Sequence, residues 1–255
     1  MKRRQKILSI TGILIFLIGI FMGLVLSGWY VWGEAEAALM VSRTGDVTIT
    51  SLRCPLMLGS TETGLVSAYF NDPTSAVIRP TVQAQISHGT LPRLEKTILT
   101  LAPGEMKQLQ WQIGPEDRIF RWLILVNVYE TSQPDFLSQQ GSCGILFSSI
   151  PGVSGKVLSI LISVMSLLGM IIGLALWTSA NTPLRDLVQN ATNAMSVLAV
   201  IVVLSMLLIL PRWWVLSGFF FLAAIMLIGI IITQFVLFPG SGDRGRAFPR
   251  NSSRP

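Results

Sequence analysis

The sequence predicts a membrane protein with four transmembrane helices and one all-β domain, inserted between the first and second helices. Three observations predict it. The chain of 255 residues is 51% hydrophobic and only 13% charged, against about 25% charged in ordinary soluble domains. The apolar residues gather in four long runs. Between the first two runs, residues 34–155 have the composition of a soluble domain, with their apolar residues in short alternating groups.

The first run, Ile7 to Trp32, carries no charge and follows Lys2, Arg3, Arg4 and Lys6. About 20 helical residues cross the hydrocarbon core, so this run is long enough. A cleaved signal peptide is the competing reading, because Ala35-Glu36-Ala37 resembles a cleavage site. The apolar stretch of such a peptide is only about 7–15 residues long, and Trp29, Tyr30 and Trp32 suit an interfacial aromatic belt. An uncleaved anchor over residues 1–33 is expected. The second run is Val157 to Trp177 and the third is Ala194 to Leu210. Pro211-Arg212 breaks the chain, and the fourth run extends from Trp213 to Phe238. Proline ends a helix by removing a donor. These three runs place helices 2 to 4 within residues 156–238. Residues 239–255 are Gly, Ser, Pro and Arg with little to bury, and disorder is expected there.

The net charge of +6 does not point to nucleic acid, because the excess lies in the chain ends. Residues 34–155 hold eight Lys/Arg against eleven Asp/Glu. With the N-terminus inside, the inner segments carry Lys2, Arg3, Arg4, Lys6, Arg185, Arg244, Arg246, Arg250 and Arg254, whereas the short outer segments carry Lys156 and Arg212. Inner loops are enriched in Lys and Arg. The expected placement is therefore the plasma (cytoplasmic) membrane, multi-pass, with both termini cytoplasmic and the β-domain outside. Membrane lipids are the first expected partner. The arginines of the tail suit anionic head groups, each adding on the order of 1 kcal/mol; a solvated tail that only fixes topology explains them equally well.

Seven strands are expected in the outer domain: Asp46–Cys54, Gly64–Asn71, Ile78–Ser87, Leu94–Leu101, Glu105–Ile113, Phe120–Tyr129 and Cys143–Ser149. Val82, Ala84 and Ile86 alternate with Gln83 and Gln85, and Leu109, Trp111 and Ile113 alternate with Gln110 and Gln112. That is the period of two of a half-buried strand. The sixth strand is almost solidly apolar, as a central strand would be. Turn signals separate the strands at Asn71-Asp72-Pro73, Pro103-Gly104-Glu105 and Gly114-Pro115-Glu116-Asp117. Such spacing favours a seven-stranded immunoglobulin-like sandwich. Cys54 and Cys143, the only cysteines, fall in its first and last strands. Two cysteines in an outer domain favour one disulfide, with two unlinked thiols as the alternative.

Asn71-Asp72-Pro73 and the Leu101-x-Pro103-Gly104-Glu105 turn resemble those of bacterial extracytoplasmic immunoglobulin-like adhesion modules, over about 100 of the 255 residues. The resemblance implies a fold and a binding habit, not a ligand. The antibody-type Cys–Trp–Cys arrangement is absent. The whole chain resembles bacterial multi-pass envelope proteins with an immunoglobulin-like extracytoplasmic domain. The layout is also that of claudin-like proteins, but their Trp-Gly-Leu-Trp and paired-Cys signature is missing.

Little in the chain points to catalysis. His88, the only histidine, reads as a solvated loop residue rather than the base of a triad. No spacing suggests a zinc, calcium or phosphate site, so no metal or cofactor is expected. The four apolar runs lack ionisable groups, which ion and proton pathways usually need; Gln234 is their most polar residue. Gly19-x-x-x-Gly23 and Gly169-x-x-x-Gly173 permit close helix packing, either between helices 1 and 2 or between copies. The expected function is non-enzymatic: the outer domain mediates protein interaction or supports an envelope complex through a protein partner of unknown identity. Its candidate contact loops are residues 71–77, 88–93 and 131–140, the last carrying Phe136 and Leu137, which could instead cap the core or rest on the membrane. The alternatives are an accessory subunit of a transporter or membrane enzyme, and a membrane sensor passing an outer signal to a cytoplasmic partner.

Overall fold

The computed structural model describes residues 3–40, 47–71, 75, 77–89, 91–131, 138–182 and 186–233. Its element order is helix α1 (Arg3–Leu39), strands β1 (Val47–Thr48), β2 (Met57–Leu58), β3 (Gly64–Asn71), β4 (Thr81–Ile86), β5 (Arg93–Ile98), β6 (Met106–Ile113), β7 (Leu123–Glu130) and β8 (Gln139–Phe147), then helices α2 (Gly155–Ala180), α3 (Asp186–Leu207) and α4 (Trp214–Ile232). All four helices are long and apolar enough to cross a membrane, by length and composition.

Helix α1 runs seven residues past the end of the uncharged run. The continuation, Gly33 to Leu39, is mostly Ala, Glu and Leu, which are strong helix formers. Its 37 residues span about 55 Å at 1.5 Å each, well beyond the roughly 30 Å hydrocarbon core. Helix α2 begins at Ser154, whose hydroxyl accepts the Val157 N–H at 3.3 Å, an ordinary N-cap. Helices α1 and α2 pack through their glycines. A methyl group on Gly19 would sit 2.7 Å from the Met170 nitrogen, and one on Gly173 would sit 2.5 Å from the Phe16 nitrogen. Gly23 instead faces Val202 of α3 and Ser166 of α2. Between α3 and α4, Ser205 and Ser217 exchange hydrogen bonds through their hydroxyls and carbonyls.

The β-region forms two sheets. One has the order β1-β8-β7-β4-β5, with β2 also paired to β8, and the other is β3-β6. The pairs β3–β6, β4–β5, β4–β7 and β7–β8 are antiparallel, whereas β1 and β2 run parallel to β8. The two sheets share one core. Val66, Ala68, Phe70, Trp111 and Ile113 of the small sheet meet Val82, Ala84, Ile86, Ile124, Val126, Val128 and Ile145 of the large one.

The expected strand Asp46–Cys54 is broken. The chain leaves β8 after Thr48, pairs with β3 through an Arg53–Ser67 bridge, and returns to β8 at Met57. Pro55 has no N–H to give a ladder, and this is where the crossing occurs. The last strand starts at Gln139, four residues before the expected Cys143. The apolar density of β7 has two causes. Ile124, Val126 and Val128 enter the core between the sheets, while Leu123 and Leu125 pack on the other face with Tyr30 and Ala37 of α1. A strand covered on both faces reads as a continuous apolar run.

Candidate functional site

The candidate site lies where the β-region meets the helices. Two junctions fasten it. At the first, the α1 extension lies against β7 and β8. A methyl on Gly144 would stand 2.2 Å from the Gly33 carbonyl, so the helix and strand backbones touch because neither residue has a side chain. Glu34, one residue on, is almost fully buried and ion-pairs with Arg212 in the α3–α4 turn. At the second, Glu62 Oε2 accepts N–H groups from Gly59 at 2.9 Å and from Gly155 at 2.8 Å. A carboxylate at the first turn of a helix is favoured by the helix dipole, and here it ties a β-region turn to the start of α2. Gly155 is pressed against Met57, where a methyl would lie 2.2 Å from the carbonyl oxygen.

The turn that presents Arg212 is a helix C-cap. Trp213 donates its N–H to the Leu208 carbonyl and Arg212 donates to that of Ile209, a Schellman pattern. Arg212 takes the left-handed position, φ 62°, where glycine is the norm. Between this turn and the β1–β8 edge lies a cleft of about 500 Å³, lined among others by Glu34, Thr48, Thr50, Ser142, Arg212 and Trp213.

A second polar cluster lies on the loops before β5 and after β6. Asp117 is fully buried; one of its oxygens accepts the Gly114 N–H at 3.0 Å and the other meets His88 Nδ1 at 3.2 Å. Arg93 lies 3.7 Å away. His88 is thus half-exposed but partnered, rather than simply solvated. The nearby Ser87 hydroxyl is buried, donates to the Asp117 carbonyl and accepts from the Leu125 N–H, so it serves the turn and is not presented as a nucleophile. Among the described residues no group of three or more His, Cys, Asp or Glu could hold a metal. Glu130, at the end of β7, is buried with no hydrogen-bond partner for either oxygen among the described residues, and burial pushes its carboxyl up to about 7.

Cys54 and Cys143 form a disulfide, Cα–Cα 6.6 Å, joining the crossing segment between β1 and β2 to β8. Phe136 and Leu137, Gln234 and the tail from residue 239 lie outside the described residues, as does most of the 131–140 loop. The Glu34–Arg212 pair was not anticipated from sequence. A weak signal was present: Glu34 lies two residues from Trp32, Arg212 is beside Trp213, and the two carry opposite signs.

No protein-family model matches the chain, and no curated protein matches it. Among solved structures, it is similar to a cycloisomaltooligosaccharide glucanotransferase of Paenibacillus sp. at 15% identity, over 42% of this chain and 15% of that one, with a TM-score of 0.34. It is also similar to a CARDB domain protein from Pyrococcus furiosus at 10% identity, over 43% of this chain and 96% of that one, TM-score 0.32. A third is β-glucuronidase 2 of Bacteroides uniformis, at 15% identity over 38% of this chain and 12% of that one, TM-score 0.30. The chain thus spans only a small part of the two enzymes.

Proposed function

We propose that this chain is a non-enzymatic integral membrane protein whose outer domain mediates protein interaction or supports an envelope complex. In this reading the four helices span the plasma membrane, both termini are cytoplasmic, and the β-region is an immunoglobulin-like sandwich. Taking β1 and β2 as halves of one broken first strand gives seven strands, with the first beside the last.

The observation that carries the reading is the mounting of the β-region. Both of its connections to the helices are backbone-to-backbone contacts reinforced by a carboxylate. A tethered arm needs no such contacts; a rigid platform does. The platform has exposed apolar residues on strands away from the α1 extension, notably Leu94 and Ile98 on β5. Strand β5 is the last strand of its sheet, and an open sheet edge is a ready surface for another chain. The Glu34–Arg212 pair favours a second reading, a sensor, because it links the domain's supporting helix to the α3–α4 turn.

Photo-crosslinking residues at Leu94 and Ile98 in the full-length protein should yield recurring protein adducts in cells. Adducts only from a control position on α3, Val200, would move recognition from the domain to the helices. Adducts with a cytoplasmic protein from the α2–α3 segment would favour the sensor.

A further inference from the structure

Between β6 and β7 the chain makes a tight hairpin closed by the Ile119–Leu123 bridge. Its tip residues, Phe120 and Arg121, both take left-handed backbone angles, φ 53° and 67°. Two such positions in succession normally carry Asn and Gly, which bear them at little cost. An aromatic residue and a cation stand there instead, and both are exposed.

The hairpin's surroundings indicate what those side chains meet. Trp122 stacks against Trp29 of α1, ring centroids 6.4 Å apart, and Leu123 packs at Gly33. Trp122 and Leu123 are therefore level with residues 29–33, the end of the uncharged part of α1, while Ile119 and Phe120 line a cleft with Glu36, Leu39 and Met40 in the next turns of that helix. Trp29 and Trp32 are more than half exposed at that level, where aromatic belts form. Arg118, at the base of the hairpin, lies over the Phe147 ring at 5.3 Å, so the Arg-Ile-Phe-Arg-Trp segment presents cations and aromatic rings together.

We propose that the hairpin Arg118–Trp122 is a lipid-docking element that seats the outer domain on the head-group layer of the leaflet from which α1 emerges. Arg121 meets lipid phosphate, for which a guanidinium offers paired donors. Trp122 and Phe120 place apolar rings with polar surroundings at the interface, continuing the band of Trp29 and Trp32. The proposal rests on reading α1 as a membrane span. A lipid surface fits better than a protein partner because the hairpin is continuous with the aromatic end of that span and carries no acidic residue.

The test uses the full-length protein in nanodiscs, with a nitroxide attached to a single introduced cysteine; the two native cysteines are already paired. Phe120→Cys reports the hairpin, Ile18→Cys the middle of α1, and Met106→Cys the start of β6, at the end of that strand away from the hairpin. Collision with oxygen and with a water-soluble nickel chelate gives the depth of each. The expected order is Ile18 deep, position 120 at head-group level, and Met106 in water. Position 120 reading like Met106 while Ile18 reads deep would overturn the proposal and leave the span standing, and would assign the hairpin to water or a protein partner. Ile18 reading like water would overturn the span itself. Adding phosphatidylglycerol to the disc should draw the label deeper, and Arg121→Glu should abolish that response; a response unchanged by the substitution would overturn the phosphate contact.

Discussion

Arg212 stands where a helix C-terminus normally places glycine, and its partner Glu34 is nearly inaccessible to solvent. Removing one member of a fully buried pair costs about 3–5 kcal/mol because the other is left uncompensated, and the partial exposure of Arg212 makes the cost smaller here. Arg212→Ala should therefore lower the unfolding midpoint in detergent, while Glu34→Gln combined with Arg212→Met should recover most of the loss; equal losses would mean that the uncompensated Glu34 charge is not their cause. Phe120 and Arg121 invite the opposite experiment. Phe120→Asn with Arg121→Gly relieves two left-handed residues, each costing about 1–2 kcal/mol, and should raise the midpoint. Glu130 sets a pH dependence. Its carboxyl is raised from 4.5 to about 7 by burial, so the folded state holds the proton more tightly than the unfolded chain. The stability this gives is complete below about 4.5 and lost as pH rises through about 7. Glu130→Gln should raise the midpoint near pH 8 and change it little near pH 5; the reverse pattern would contradict the burial argument. At this scale the sequence conveyed little. It marks Pro211-Arg212 as a helix break, but the burial of Glu34 depends on α1 continuing past Trp32, and charges more than 170 residues apart meet only through the fold.

Helix α1 joins the two parts of the molecule. Its apolar run was legible because it is twenty-six residues long and uncharged. Its extension was not, because Gly33 opens it and the helix formers that follow show no apolar run of their own; packing on β7 and β8 adds to their helical propensity. The alternating strands β4 and β6 were legible for the same reason that β1 was not: one face of each enters the core, whereas the first strand divides its pairing between two partners. The density of β7 was legible but its cause was only half visible, since α1 covers the second face. Gly144→Ala tests the helix–strand contact. A methyl there meets the Gly33 carbonyl backbone, and overpacking typically costs about 1–3 kcal/mol, occasionally more. Amide hydrogen exchange should then rise at residues 33–39 and along β8; unchanged exchange would mean the two backbones can part without consequence. The disulfide closes a separation of 89 residues, worth at most about 4.6 kcal/mol in the chain-entropy model. Reduction should lower the midpoint of the domain more than that of the helices.

The whole molecule combines a bundle and a domain that share one helix and are fastened twice. The sequence indicated four helices and a β-region through composition and period, both of which act locally. It could not indicate the mounting, which depends on Gly33 meeting Gly144 and on Glu62 reaching Gly155. The mounting is the central claim, because a platform and a tethered arm would present partners differently. The most direct measurement places nitroxides at Met106 in the domain and Ser179 near the far end of α2, in the full-length protein in nanodiscs, and reads their distance by pulsed electron resonance. One narrow distance distribution, unchanged between detergent and bilayer, is predicted. A broad distribution would contradict the account, because it would mean that the domain swings on its connections.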